Sequence, residues 1–237
     1  IREAVVLNLV KGQILCLTQE CKAYVVYING QYWGVYFMQE KRNKYFVAQH
    51  EDIEDPDLVD LLAGSGKIVK NGSNKDYLNL LTYVQTHDMS QKASFDYVFA
   101  RFDTDNYMDL MVNQIYIGNS DYGNLQFYRV PGGKWKQIFY DFCWSFGNYE
   151  HQTLSLRMSS TSNASPYRTM FVGLLQYEPW KQAFLKRMAW AMEHIYLPGR
   201  VLTVIDQVAG SIASEMPAER AKFTDTGSNW PARVETL

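Results

Sequence analysis

The chain has 237 residues, of which 47% are hydrophobic and only 15 are Gly and 7 Pro, a composition that excludes wholesale disorder and allows a sizeable core. Its 23 basic and 25 acidic residues give a formal charge of −2, which argues against a nucleic-acid partner. No apolar run approaches the roughly 18 residues that a membrane-spanning helix needs, so no transmembrane segment is expected.

The first predicted element is a β-hairpin. The runs Tyr24–Ile28 and Tyr32–Met38 are rich in β-branched and aromatic residues, and they flank the pair Asn29 and Gly30. Asn-Gly tolerates a positive φ at both turn positions, which makes it a strong hairpin signal. The pattern therefore predicts two antiparallel strands joined by a two-residue turn.

Helices dominate the region beyond the hairpin. A helix is predicted over about 39–49 and a strand between turns over 64–70. Apolar residues at helical spacing resume at Asp76, and a further helix follows a capping residue that is either Asp103 or Asp105. The pattern predicts helices on both sides of one short strand.

A second hairpin and a helical tail complete the predicted fold. Strands are expected over 125–130 and 135–140, joined by the turn 131–133. The Ser-rich stretch 141–168 is typical of a loop, and 167–223 has helical spacing with prolines where a first helical turn tolerates them. An α+β fold with a β-rich front and a helical back is predicted.

Polar residues stand where the second hairpin meets its flanking loops. Asp121 and Asn124 precede the first strand, and Asp141 follows the second. Because the two strands pair, the three residues are expected at the same edge. Phosphoryl transfer to a hydroxyl uses one carboxylate to accept its proton, and a second carboxylate with an amide oxygen to hold Mg²⁺. The alternative is an Asx turn at Asp121 and Asn124, with Asp141 capping a loop.

Several segments follow one another in a recognisable order, namely Gly30–Tyr36 with Glu40, Tyr107–Asp109, Asn119–Asp121, and Trp135 with Phe139–Gly147. In this order they resemble the CotH kinase family, which is named for a spore-coat protein and comprises atypical, protein-kinase-like enzymes. The helical run 184–215 resembles the helical tail of that family. The resemblance implies an atypical protein-kinase-like fold over 1–237, incomplete at both ends, with a β-rich sublobe 1–75 and a mainly helical sublobe 76–237.

The resemblance also implies an activity. It is ATP-dependent phosphoryl transfer, with Mg²⁺ or Mn²⁺, to Ser or Thr of a protein, for which a Ser-rich coat or surface protein is a candidate. By position, Asp121 would be the catalytic base or would orient the substrate, and Asp141 and Asn124 would be metal ligands. Family members are commonly exported or spore-associated, so an extracellular, cell-surface or spore location is expected from the resemblance alone.

Four further residues are candidates for nucleotide binding. Trp135 precedes Asp141 by six residues on the same predicted strand face, and it could grip adenine together with Tyr36. Glu40 and Lys70 could form the ion pair that positions phosphates in protein kinases. Core packing is the alternative for the two aromatic residues, and an exposed helix charge and a strand-end lysine are the alternatives for the pair.

One departure from the family pattern weakens the metal site. Family members often have Trp-Asp-x-Asp where this chain has Tyr140–Cys143, so a thiol replaces the second acid. Mg²⁺ prefers hard oxygen ligands, although Asp141 alone could suffice together with water and phosphate.

Two other functions stay open. One is a non-catalytic kinase-like module in surface or spore-coat assembly, and the other is a carbohydrate-binding domain that uses Trp33 and Trp135.

Overall fold

The structure is a computed structural model that describes residues 1–64, 66–121, 124–147, 150–159, 166–223 and 234. Within these residues the α-helices are α1 (Arg2–Val10), α2 (Lys44–His50), α3 (Lys75–Thr86), α4 (Lys92–Phe99), α5 (Thr104–Tyr116), α6 (Thr153–Met158), α7 (Pro166–Leu175), α8 (Glu178–His194), α9 (Pro198–Gly210) and α10 (Met216–Lys222). The strands are β1 (Leu17–Thr18), β2 (Cys21–Ile28), β3 (Gln31–Gln39), β4 (Asp60–Ala63), β5 (Ile68–Asn71), β6 (Gln126–Arg129) and β7 (Lys136–Phe139). The predicted α+β class is confirmed.

The larger sheet has five strands in the order β1-β7-β6-β4-β5. The predicted hairpin of β6 and β7 is antiparallel, whereas β1 runs parallel to β7 and β4 runs antiparallel to β6. The sheet therefore combines strands from both sides of residue 75, and the predicted front and back sublobes share it.

The first hairpin forms a separate two-stranded sheet, as predicted. Its turn has φ values of 51° at Asn29 and 76° at Gly30, which is the backbone that Asn-Gly favours. Helix α10 lies along β3, where a Glu219 oxygen accepts hydrogen bonds from the Val35 amide at 3.1 Å and the Tyr32 hydroxyl at 2.9 Å. A side chain of α10 thus supplies the hydrogen-bond acceptor that the Val35 amide of β3 does not find in a further strand.

Helix α5 lies at the centre of the main hydrophobic core. It begins where predicted, and its cap is Asp103 rather than Asp105, because the Asp103 carboxylate accepts a hydrogen bond from the Asn106 amide at 2.9 Å. Tyr107 and Leu110 on α5 are buried in the same core as Phe139 of β7. The helix therefore fixes the position of β7, whose end carries the candidate site.

Several elements differ from the sequence prediction. Helix α1 and strands β1 and β4 were missed, and the stretch 141–168 contains α6 and the start of α7 rather than a loop alone. Strand β4 begins at Asp60, whose carboxylate binds the Arg129 side chain on β6 at 2.7 and 3.0 Å. A cross-strand partner makes the acid compatible with a strand. No helix in the described ranges is both long and apolar enough to cross a bilayer.

Candidate active site

Asp121, Asn124 and Asp141 lie together beside the end of the second hairpin. The Asn124 amide nitrogen donates hydrogen bonds to an Asp121 carboxylate oxygen at 2.8 Å and to an Asp141 carboxylate oxygen at 2.7 Å. One amide group therefore bridges the two acids. The sequence prediction placed these three side chains at a common edge, and the structure brings them into direct contact.

The backbone around Asp141 is held in an uncommon conformation. Asp141 follows β7 by two residues and has a φ of 64°, a left-handed value that Asp and Asn adopt more readily than other side chains. Its carbonyl accepts a hydrogen bond at 3.2 Å from the buried side chain of Asn119, just beyond α5, and that side chain also donates to Gln114 at 2.7 Å. The end of α5 therefore supports the turn that presents the Asp141 carboxylate.

A third carboxylate at the site was not found from the sequence. Glu3, on α1, accepts a hydrogen bond from the Asp141 amide at 3.0 Å, and its other oxygen lies 3.8 Å from the Cys143 sulfur. Burial, Glu3 and Asp121 raise the pKa of Asp141, whereas the Asn124 hydrogen bond and Arg42 oppose this. The contact joins residues 138 positions apart, and the local sequence around Glu3 has no signal that could reveal it.

The site also contains a cation. The Arg42 guanidinium carbon lies 3.5 Å from the centre of the Tyr140 ring, and Arg42 donates a hydrogen bond to the Gln19 side chain at 3.1 Å. Burial lowers the pKa of Arg42, while Tyr140, Glu3 and Asp141 raise it, and arginine stays protonated under such conditions. Burial raises the pKa of Tyr140 to about 12, so the phenol is neutral at neutral pH. The described part of the site thus brings a guanidinium close to carboxyl groups of Glu3 and Asp141.

The donor set fits Mg²⁺ only in company with other ligands. Among the residues that the structure describes, no group of three or more His, Cys, Asp or Glu side chains is placed to hold a metal ion. Two carboxylates and the Asn124 amide are hard oxygen donors, and Mg²⁺ commonly uses one or two carboxylates together with waters and substrate phosphates. The Asn124 nitrogen now faces both acids, so the amide must turn over to present its oxygen to a cation. The residues therefore suit a metal ion that binds with phosphate.

The structure places Trp135 away from these acids. The Trp135 side chain is 1% exposed and belongs to the main core, where its ring makes an edge contact with Tyr77 at 5.4 Å between centroids. The Arg129 guanidinium carbon lies 4.8 Å from the centre of the same ring. An adenine ring cannot stack on Trp135 unless this packing opens. The predicted contact between Trp135 and adenine is therefore corrected. Trp135 is a core residue, as the alternative interpretation of this aromatic side chain stated.

Tyr36, Glu40 and Lys70 are not assembled into a nucleotide site either. Tyr36 is 45% exposed on β3, in a different sheet from the strand that follows Trp135. Glu40 lies 3.3 Å from His50 and accepts a hydrogen bond from the Glu20 amide at 2.8 Å, and Lys70 is exposed on β5 at the edge of the larger sheet. Among the described contacts no ion pair joins Glu40 to Lys70, so the structure does not bring this predicted pair together.

Comparison with known proteins gives one positive finding. A family model described as CotH kinase protein matches residues 1–237, which is the whole chain. No curated protein sequence shows a detectable match.

Proposed function

Since this chain belongs to the CotH kinase protein family, we propose that it transfers the γ-phosphoryl group of ATP, with Mg²⁺ or Mn²⁺, to a Ser or Thr hydroxyl of a protein. The observation that carries the proposal is the contact of Asn124 with both Asp121 and Asp141. Two carboxylates and an amide at one point are the groups that such a transfer requires.

Each residue of the site has a distinct part in this reaction. Asp121 accepts the proton of the attacking hydroxyl, whose oxygen bonds to the γ-phosphorus as the bond to the bridging oxygen breaks and ADP leaves. Asp141 and the turned Asn124 amide supply the protein oxygens that would hold the metal ion. When bound, Mg²⁺ supplies positive charge that neutralises the phosphate oxygens. Burial, together with the nearby Glu3 and Asp121 carboxylates, raises the pKa of Asp141, so a cation bound there would stabilise its ionised form.

Glu3 bears on the missing second acid of the family pattern. Cys143 stands at that position, and the Glu3 carboxylate lies beside its sulfur at 3.8 Å. A carboxylate from α1 therefore occupies the neighbourhood in which family members often have an aspartate. The nearby Glu3 carboxylate supports the proposal that the site attracts a metal ion, although the Cys143 thiol is itself a poor ligand for Mg²⁺.

The test is transfer of labelled phosphate from ATP to the protein itself or to a Ser-rich acceptor, with Mg²⁺ or Mn²⁺. Asp141→Asn keeps the size and the left-handed backbone of this position, and we expect it to lower the rate by about 100-fold or more. The matched control is Asp52→Asn, because Asp52 is exposed, lies outside the site and has a similar φ of 53°. Equal rates for the wild type and Asp141→Asn would contradict the proposal.

A second candidate function rests on the first hairpin. Several of its aromatic side chains are 43–60% exposed, namely Tyr24, Tyr27, Trp33 and Tyr36. Exposed Tyr and Trp favour protein contact, so a non-catalytic module for surface or spore-coat assembly remains the alternative proposal, with an extracellular or spore location in either case. Isothermal titration with Mg·ATP separates the two functions, since micromolar binding contradicts a purely structural role.

A further inference from the structure

We propose that Arg42 binds the terminal phosphate groups of the nucleotide. This inference rests on the proposed function and adds to it a residue that the resemblance did not indicate. Arg42 takes the phosphate-positioning role that was predicted for Glu40 and Lys70, which no described ion pair joins. The inference also assigns the ligand class at this side of the site, which is a nucleoside di- or triphosphate rather than a monophosphate.

Arg42 is held firmly before any ligand binds. Its guanidinium stacks on the Tyr140 ring at 3.5 Å and donates to the Gln19 side-chain oxygen at 3.1 Å. Gln19 is 6% exposed, and its amide nitrogen donates to the Glu40 carbonyl. The Arg42 carbonyl accepts a hydrogen bond from the Gln126 side chain at 3.4 Å. Little conformational entropy therefore remains to be lost when the guanidinium meets an anion.

Most of the hydrogen-bonding capacity of Arg42 is unused. A guanidinium has five N–H donors, and the bond to Gln19 is the one that the described residues accept. None of the described ion pairs includes Arg42, although Glu3 and Asp141 both act on it electrostatically. A half-buried cation close to carboxylates, yet not paired with them, is available to an incoming anion.

The location of Arg42 favours phosphate over other anions. It packs on Tyr140, the residue directly before Asp141, and the Asp141 and Glu3 carboxylates are close enough to act on it electrostatically. The Glu3 and Asp141 carboxylates that act on this guanidinium repel a simple carboxylate ligand, whereas a polyphosphate can bring metal ions that offset their charge. The planar guanidinium can donate two parallel hydrogen bonds to phosphate oxygens.

The experiment compares nucleotide affinities by isothermal titration in the full chain. We expect Arg42→Gln to weaken binding of Mg·ATP and Mg·ADP by about tenfold or more and to leave AMP binding within about twofold, because AMP lacks the terminal phosphates. Arg42→Lys should fall between the wild type and Arg42→Gln, since it keeps the charge but not the planar fork. The matched control is Arg101→Gln, because Arg101 also stacks on a tyrosine, Tyr97, at 3.7 Å.

The outcomes separate this inference from the proposed function. If the wild type binds none of the nucleotides, both are overturned. If the wild type binds Mg·ATP and Arg42→Gln binds it equally well, the inference alone fails. It also fails if Arg42→Gln weakens ATP and AMP equally, or if Arg101→Gln causes the same loss. Should Arg42→Gln not fold, as judged by circular dichroism, Arg42→Lys decides, and unchanged ATP affinity in that variant overturns the inference.

Discussion

The two ends of strand β7 differ in depth and in chemistry. Trp135 directly precedes the strand and is 1% exposed in the main core. Asp141 follows the strand by two residues, is partly exposed, and lies among polar and charged groups. Gln137 and Phe139, between them on the same strand face, are both fully buried. One strand face therefore runs from the core to the candidate site.

This difference shows what strand alternation can and cannot indicate. Alternation correctly assigns side chains to one face of a strand. It contains no information on which part of that face other elements cover. Here Tyr77 of α3 packs on Trp135, whereas Asp141 meets the charged Glu3 side chain of α1. The predicted nucleotide span from Trp135 to Asp141 failed because helix α3 covers one end.

Of the substitutions along β7, we expect the largest loss of stability at the buried end of the strand, at Trp135. Trp135→Ala should lower the free energy of unfolding by about 3–5 kcal/mol, because it removes a large side chain from a closely packed core. Urea denaturation followed by fluorescence or circular dichroism measures this. The matched control is Trp33→Ala, since Trp33 is 43% exposed and should contribute less than about 1 kcal/mol.

A second variant at Trp135 tests whether the buried end of β7 takes any part in nucleotide binding. Trp135→Phe keeps an apolar ring in the core and should bind nucleotide as the wild type does. If a stably folded Trp135→Phe protein no longer binds Mg·ATP, Trp135 takes part in nucleotide binding, and the assignment of Trp135 to the core alone is wrong.

A smaller, pH-dependent effect is expected at the polar end. The pKa of Asp141 is raised in the folded state, so protonation of its carboxyl group stabilises the folded protein as pH falls through that raised pKa. This stabilisation is lost as pH rises again. Asp141→Asn cannot titrate. Its stability relative to the wild type should therefore be highest near pH 7 and should decline towards pH 4, by less than about 1 kcal/mol because the group is partly solvent-exposed.

Chemical denaturation of both proteins between pH 4 and pH 8 measures this difference. Asp52→Asn should follow the wild-type curve. If the relative stability of Asp141→Asn instead rises towards acidic pH, the pKa of Asp141 is not raised in the folded protein.

The smallest effect is expected at Lys70, which is remote from both ends. Lys70 is exposed on edge strand β5, so Lys70→Met should change the free energy of unfolding by less than about 0.5 kcal/mol and the phosphotransfer rate by less than about twofold. The rate assay described for Asp141 measures the second quantity. A tenfold loss would restore Lys70 as a phosphate-positioning residue.

Local signals in the sequence predicted a good part of this structure. Asn29 and Gly30 determine their own turn through their backbone preferences, and Asp103 caps α5 through a neighbour three residues away. Asp121 and Asp141 were placed at one edge because two adjacent strands pair. In each case the residues that decide the structure are near in sequence or joined by one hairpin.

The features that the sequence did not reveal depend on distant partners. Glu3 reaches Asp141 across 138 positions. Arg42 lies against Tyr140 in a segment whose backbone accepts hydrogen bonds from Gln19 and from Gln126 on β6. A charged residue on a short helix has the same local pattern whether it faces solvent or a site. The partner, and not the pattern, decides which of these it does.

The contact of α10 with β3 has a consequence for synthesis of the chain on the ribosome. The Val35 amide receives its partner from Glu219, which lies 184 positions later. At about 5–20 residues per second, that partner emerges roughly 10–40 s after Val35 itself. During this interval the outer side of β3 is without the acceptor that it has in the native protein. Until α10 arrives, a strand-like segment nearby, in this chain or in another, can pair with the open side of β3.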